Sequence, residues 1–157
     1  MDIGEENRQN QPEIKYLMIR NWQTKEIIDL YRAGGWWEMG WNPGGIAPLI
    51  RGSFLFIIAL DSATGSAVGM GRIIADGSSD GYIQDVAVLP SYRNLGIGSK
   101  IAEILRSLGQ TLGLSWLGLI AAPEAEGIYK RAGFSPMERY TPMNLEQERP
   151  NRYHDTQ

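Results

Sequence analysis

The chain has 157 residues, 43% hydrophobic and 21% charged, which is enough to close one hydrophobic core and short for two. A formal net charge of -3 and a pI near 5.2 argue against a broad nucleic-acid surface, which needs clustered Lys and Arg, and suit a cationic substrate. With Cys 0 and His 1 there is no disulfide and no thiolate nucleophile, and a metal site built from Cys or His has almost no ligands to draw on.

Segment 1–12 (MDIGEENRQNQP) is polar and expected to be disordered; a single domain is expected over 13–143, followed by a polar tail over 144–157 that holds the one histidine, His154. The apolar middle of Glu13–Asn21 predicts a first strand. Thr24 is placed as an N-cap, Ile27, Ile28 and Tyr31 share one helical face, and Gly34 and Gly35 end that helix. A loop rich in tryptophan follows. Ser53–Leu60 is short, nearly continuous apolar and closed by the turn DSATG, so it reads as a strand with the segment 66–76 as its hairpin partner. Tyr82–Leu89 is the next strand. Ile97, Ile101, Ile104, Leu105, Leu108 and Leu112 recur at helical spacing and predict a helix of about three to four turns from near Gly96. Ser115–Ala122 reads as a buried strand. Pro123 to Gly133 reads as a short helix with Gly133 as its C-cap, and Phe134 opens a last strand. This order predicts a mixed α/β, or α+β, sandwich around one sheet. No apolar run approaches the roughly 20 residues of a membrane span, and no basic stretch leads into a signal-like apolar one, so a soluble cytoplasmic protein is expected.

The densest chemical signal is the turn from Val88 to Lys100 (VLPSYRNLGIGSK). A helix start leaves its first N–H groups without intrahelical partners, and these attract anions together with the macrodipole. Gly96 and Gly98 clear side chains from that position, and Arg93 adds a permanent cation with bidentate geometry, which points to a pyrophosphate site. The competing role for the glycine pair is close packing of the helix on the sheet. A dinucleotide fingerprint needs a third glycine where Ile101 stands, and a P-loop needs Ser or Thr after Lys100, where the chain again has Ile101.

Arg93-Asn94-Leu95-Gly96-Ile97-Gly98, preceded by DVAVLPSY, resembles the [Gln/Arg]-x-x-Gly-x-[Gly/Ala] signature of the GNAT superfamily of acyl-CoA-dependent N-acyltransferases. AEGIYKRAGF (125–134) is similar to that family's second motif, in which a helical tyrosine precedes a Gly-Phe strand start. The resemblance covers most of the chain, most specifically Tyr82 to Phe134. It implies one mixed, mostly antiparallel twisted sheet of about six to seven strands flanked by about four helices. It also implies acetyl-CoA as cosubstrate and no metal. The amides of Arg93, Asn94, Leu95, Gly96, Ile97, Gly98 and Ser99 would cradle the CoA pyrophosphate. Val86, Ala87 and Val88 would hydrogen-bond the pantetheine arm as an added strand where their strand splays from Ser115–Ala122. Val88 would also offer an oxyanion donor. Tyr129 matches the tyrosine that protonates the departing thiolate, a role its chemistry allows because a phenol donates a proton without prior charge. The competing role is an amphipathic core tyrosine beside Ile128. One departure is Ala122, where many relatives carry an asparagine that contacts the pantetheine arm.

With no histidine in the predicted domain, the general base falls to an acidic residue or a water chain. Tyr82 and Gln84 are expected on the face shared with Val86, and the family often points the matching positions at the acceptor amine. Asp85 has the opposite parity, and a β-bulge at the splay would turn it inward to take the amine's proton or bind its ammonium. Its competing role is a carboxylate tied to backbone amides or to an arginine. The loop matching the family's acceptor wall supplies Trp36, Trp37, Glu38 and Trp41, which suit an aromatic or alkyl amine; closing the core is the competing role for two of these tryptophans. The expected function is acetyl transfer from acetyl-CoA to a primary amine, on a small molecule, by direct attack in a ternary complex. The alternatives are a non-catalytic acyl-CoA-binding regulatory module and an acetyltransferase of protein amines. No nucleic-acid or membrane partner is expected, and a homodimer through the last strands is an option that similar proteins often take.

Overall fold

A computed structural model describes residues 11–145. The segment 1–12 and the tail 144–157, His154 included, therefore lie almost wholly outside the described residues. The elements in chain order are β1 (Ile14–Met18), α1 (Thr24–Ala33), α2 (Ile46–Gly52), β2 (Leu55–Asp61), β3 (Ser66–Ala75), β4 (Asp80–Val88), α3 (Ile97–Thr111), β5 (Trp116–Gly118) and α4 (Glu126–Arg131). The sheet runs in sequence order, antiparallel from β1 to β4 and parallel between β4 and β5. Among the described residues no helix is long and apolar enough to cross a membrane.

The mixed, mostly antiparallel α/β architecture is the expected one, with five strands among the described residues where six to seven are predicted. The shortfall lies at the C-terminal end. Ser115–Ala122 pairs only through Trp116, Leu117 and Gly118 before β4 and β5 diverge, and the segment from Phe134 to residue 145 forms no strand. Thr24 is the first helical residue of α1, with Gln23 at the cap position and no side-chain bond there. The sequence IAPLIRG of α2 is helical although it carries Pro48, because a proline in the first turn removes no intrahelical bond.

The apolar run of β2 is explained by burial on both faces. Phe56 and Ile58 face α1 and α2 together with Met70 and Ala87. Leu55, Ile57 and Ala59 face α3 together with Val68, Ile73 and Ile83. Each fully buried Leu, Ile, Val, Met or Phe side chain among these stabilises by about 1.5–3 kcal/mol. The helix α3 reaches the sheet over two glycines of β3: a Cβ at Gly71 would stand 2.7 Å from Ile101 Cγ2 and 3.0 Å from Leu105 Cδ1, and one at Gly69 3.0 Å from Ile101 Cδ1.

The turn between β3 and β4 is organised by one carboxylate. Asp76 Oδ1 accepts the amides of Ser78, Ser79 and Asp80 at 2.7, 2.9 and 3.1 Å, and these bonds hold its pKa down to about 2. A group whose pKa is depressed on folding stabilises above its unfolded value and loses that contribution as pH falls through the folded value. Asp76→Ala should therefore lower stability at neutral pH, and the gap to the parent protein should close between about pH 4 and pH 2 in urea unfolding curves. A gap that stays constant over this range would assign the loss to another cause.

Candidate functional site

Ladder bonds between β4 and β5 end at Tyr82 opposite Gly118. On the other side of β4, the amide of Leu89 donates to Val68 O at 2.9 Å, so strand alternation turns the backbone groups of Val88 and Val86 toward the open seam. Beside that seam lies a cleft of about 620 Å³ whose walls include Val86, Ala87, Val88, Arg93, Asn94, Gly96, Ile97, Gly98 and Ser99. Leu95 is absent from these walls and 41% exposed.

A 3-10 turn, Pro90–Tyr92, leads from β4 into the glycine turn. Asn94 (φ 62) and Gly96 (φ 77) both take left-handed backbone, which Asn tolerates better than most residues and Gly without cost. No side chain caps α3, and among the described residues no acceptor takes the amides from Asn94 to Ser99. Those donors point at the cleft end of a 15-residue helix. Arg93 is fixed across the turn, its Nε donating to Val88 O at 3.2 Å and its Nη2 to Ala33 O at 2.9 Å. Unengaged amides, a helix start and an arginine together fit a diphosphate.

The two roles open for the glycine pair now separate. A Cβ at Gly98 would meet Ile128 Cδ1 at 3.5 Å and Val88 Cγ2 at 3.7 Å, which is ordinary contact, so protein packing does not demand glycine there. Close approach of α3 falls instead to Gly69 and Gly71. Gly71→Ala should cost about 1–3 kcal/mol of unfolding free energy by overpacking. If the turn holds the diphosphate that its motif implies, Gly98→Ala should leave stability within about 0.5 kcal/mol and weaken acetyl-CoA, measured by calorimetry, because the added methyl would crowd the approach to the amides. The reverse pattern would make Gly98 the packing residue.

A β-bulge sits in β4. Gln84 pairs with Arg72 and Ala87 with Met70, which leaves Asp85 and Val86 opposite the single Gly71, and Asp85 adopts φ 58. The extra residue changes the expected parity. Val86 now packs with Ile83 on the α3 face, whereas Ala87 joins the α1 face, so Val86 does not share a face with Tyr82 and Gln84. Asp85 Oδ2 accepts Tyr31 OH at 2.7 Å and Arg72 Nε at 2.6 Å, and Arg72 Nη2 donates to Gln84 Oε1 at 3.1 Å. Tyr31 and Arg72 had no predicted place in the site. The available signal was the cross-strand position of Arg72 in the β3–β4 hairpin, where a charge on an apolar strand calls for a partner. Burial, then the Asp85 carboxylate, push the Tyr31 phenol well above its usual range.

Tyr129 lines an adjoining cavity of about 260 Å³ with Leu119, Ala122 and Phe134, and Ala122 is common to this cavity and the cleft. Its ring meets Phe134 edge to face at 6.4 Å. Burial raises its pKa, and nearby Tyr82 and Asp85 add to the rise. Tyr82 is also raised by burial, offset in part by the Ile120 amide. Of the tryptophans, Trp36 reaches the cleft and stacks edge to face on Tyr31 at 6.3 Å. Trp37 and Trp41, edge to face at 5.7 Å, form a separate pocket of about 380 Å³ with Tyr31 and Ile46. Trp37 packs against the core as well, which is the competing role foreseen for two of the tryptophans. Glu38 lines neither space. Among the described residues no group of three or more His, Asp or Glu is arranged to hold a metal ion.

A family model described as the acetyltransferase (GNAT) domain matches residues 52–136, the stretch from β2 through α4 that carries the seam and both walls of the cleft. The chain is 36% identical over 78 residues to serotonin N-acetyltransferase 2, chloroplastic, of Oryza sativa subsp. japonica, a match that covers 48% of this chain and spans only 39% of that protein. Among solved structures it is similar to a GNAT family acetyltransferase from Streptococcus pneumoniae, with 26% identity, a TM-score of 0.66 and coverage of 87% of this chain and 100% of the other. A protein of unknown function from meticillin-resistant Staphylococcus aureus shares the fold at a TM-score of 0.73 and 24% identity, over 86% of this chain and 100% of the other.

Proposed function

This chain belongs to the GNAT acetyltransferase family, and from that membership we propose that it moves an acetyl group from acetyl-CoA to the primary amine of a small molecule by direct attack in a ternary complex. The observation that carries the reading is the row of unengaged amides from Asn94 to Ser99 beside the unpaired edge of β4. The cosubstrate supplies the activated acyl carbon as a thioester. Val86 presents a strand-type donor and acceptor to its pantetheine arm, while Val88, whose carbonyl is held by Arg93, has its amide left to donate to the oxygen on which negative charge develops. Tyr129, held protonated by burial beside Tyr82 and Asp85, gives its proton to the leaving sulfur from the wall shared at Ala122.

Arg72 and Tyr31 both occupy Oδ2 of Asp85, so its other oxygen is the one assigned to the arriving acceptor: it binds the ammonium form and takes the proton that the nitrogen must lose before it attacks the thioester carbon. Tyr31 also lines the pocket of Trp37 and Trp41, which links the acceptor space to that carboxylate. Indole walls around about 380 Å³ suit an aromatic or alkyl amine. The rice relative is named for serotonin, an amine of this chemical class. Acetylation of protein amines, the second reading, would favour an open groove over such a pocket, and a non-catalytic binding module would have no use for Tyr129.

Free-thiol release from acetyl-CoA against a panel of aryl amines, polyamines, amino acids and peptides tests this reading, and aryl or alkyl amines are expected to give the fastest release. Tyr129→Phe should lower kcat by about 10²–10⁴-fold and leave the acetyl-CoA Kd unchanged. Because the Tyr129 pKa is raised above its ordinary value, the parent protein should hold its kcat up to at least pH 10 before an alkaline limb appears. An alkaline limb near neutral pH would pass the role to another group, and no release with any amine would favour the binding module.

A further inference from the structure

We infer that Arg131, at the end of α4, is a second phosphate-binding cation of the cleft, bonded to Ser99 of α3 and completing a clamp of which Arg93 is the other cation. This rests on the reading of the cleft as an acetyl-CoA site. Arg131 is the last residue of α4 and lines the same cleft as the glycine turn. Its Nε donates to Ser99 Oγ at 3.2 Å, which ties the end of α4 to the first turn of α3. Ser99 accepts that bond, so its own hydroxyl proton is free to donate.

Local charge pairing sets Arg131 apart from the lysines around it. Lys100 is paired with Glu103 at 3.1 Å and Lys130 with Glu126 at 2.8 Å, each along its own helix. Among the described residues neither Arg93 nor Arg131 has a carboxylate within ion-pair distance. Glu124 is the acidic residue on the cleft walls, and it pairs with neither arginine. Two guanidinium groups and a helix start therefore face one carboxylate.

The two arginines also differ in what they have left to offer. Arg93 uses Nε and Nη2 on backbone carbonyls. Arg131 uses Nε alone, and its terminal nitrogens, the edge that grips a phosphate with parallel bonds, have no partner among the described residues. Coenzyme A carries phosphate at two places, the diphosphate and the ribose 3′ position, and either is a chemical match for a free guanidinium edge.

Calorimetric affinities of the parent protein and Arg131→Gln for acetyl-CoA, acetyl-dephospho-CoA and S-acetyl-pantetheine test the assignment. The substitution should weaken acetyl-CoA about ten-fold and leave S-acetyl-pantetheine, which has no diphosphate and no ribose, unchanged. Arg131→Lys should recover part of the loss, since it keeps the charge without the fork. A loss that persists with acetyl-dephospho-CoA identifies the diphosphate as the group held, and a loss that vanishes identifies the 3′-phosphate; both support the clamp. Equal weakening of all three ligands would make Arg131 a packing residue, and no weakening of acetyl-CoA would remove it from the site; either overturns the proposal. A parent protein that binds none of the three would overturn the acetyl-CoA reading itself, and the clamp with it.

Discussion

Most of what is distinctive in this molecule depends on the edge of β4 that loses its partner after Tyr82. Backbone N–H and C=O groups cost about 1–3 kcal/mol each when buried without a bond, so an unpaired strand edge persists only where solvent or a ligand reaches it. Here β4 and β5 are close at one end and apart at the other. Gly81 sits at the closed end, where a Cβ would meet Leu114 Cδ1 at 2.7 Å and Leu117 Cδ2 at 2.8 Å. At the open end Ile128 of α4 stands across the cleft from Val88. The missing side chain at Gly81 lets the parallel pair close at one end, and the pair opens as a wedge toward Val88. The start of α3 lies at the mouth of that wedge, so amides from two kinds of secondary structure converge on one space.

The β4 bulge is a second constraint, and its effects run in two directions. Inserting one residue opposite Gly71 sends Val86 to the α3 face, where it packs against the helix that the glycines of β3 admit. The same insertion turns Asp85 toward α1, where Tyr31 and Arg72 receive it. A left-handed aspartate inside a strand is strained by about 1–3 kcal/mol, and a half-buried ion pair with an added phenol bond is the kind of local compensation that lets it persist. The bulge thus couples core packing on one side of the sheet to charge placement on the other.

Much of this was legible in the sequence because it rests on local rules. The continuous apolar run of β2, the helical period of α3 and the glycine turn after Arg93 each follow from the chemistry of consecutive residues. What escaped has a long-range cause. The length of β5 depends on where its neighbour diverges, which no property of Ser115–Ala122 encodes. The face of Val86 depends on a bulge that is settled across two strands. Arg131 falls next to Ser99 only because α4 returns to the start of α3, and Tyr31, which reads as one more core position of α1, meets Asp85 across 54 residues of chain. Even the glycines show the divide: Gly96 needs its left-handed turn locally, whereas Gly69 and Gly71 matter through a helix about thirty residues away.

Net charge alone suggested a cationic ligand, and the structure shows why a single number for the whole chain is too coarse. Positive groups gather at the mouth of the seam, where Arg93, Arg131 and the α3 amides face one space. Around Asp85 stand the phenols of Tyr31, Tyr82 and Tyr129, with Arg72 already committed to Asp85 and Gln84. Coulomb attraction in partly buried surroundings is several-fold stronger than in bulk water, so this separation acts over the length of the cleft. Under the proposed function, the phosphates of acetyl-CoA would be drawn to the first end and a cationic acceptor to the second. The overall charge of -3 would then serve the second of these attractions without opposing the first, because the donors at the seam's mouth are fixed backbone dipoles and guanidinium groups whose field is local.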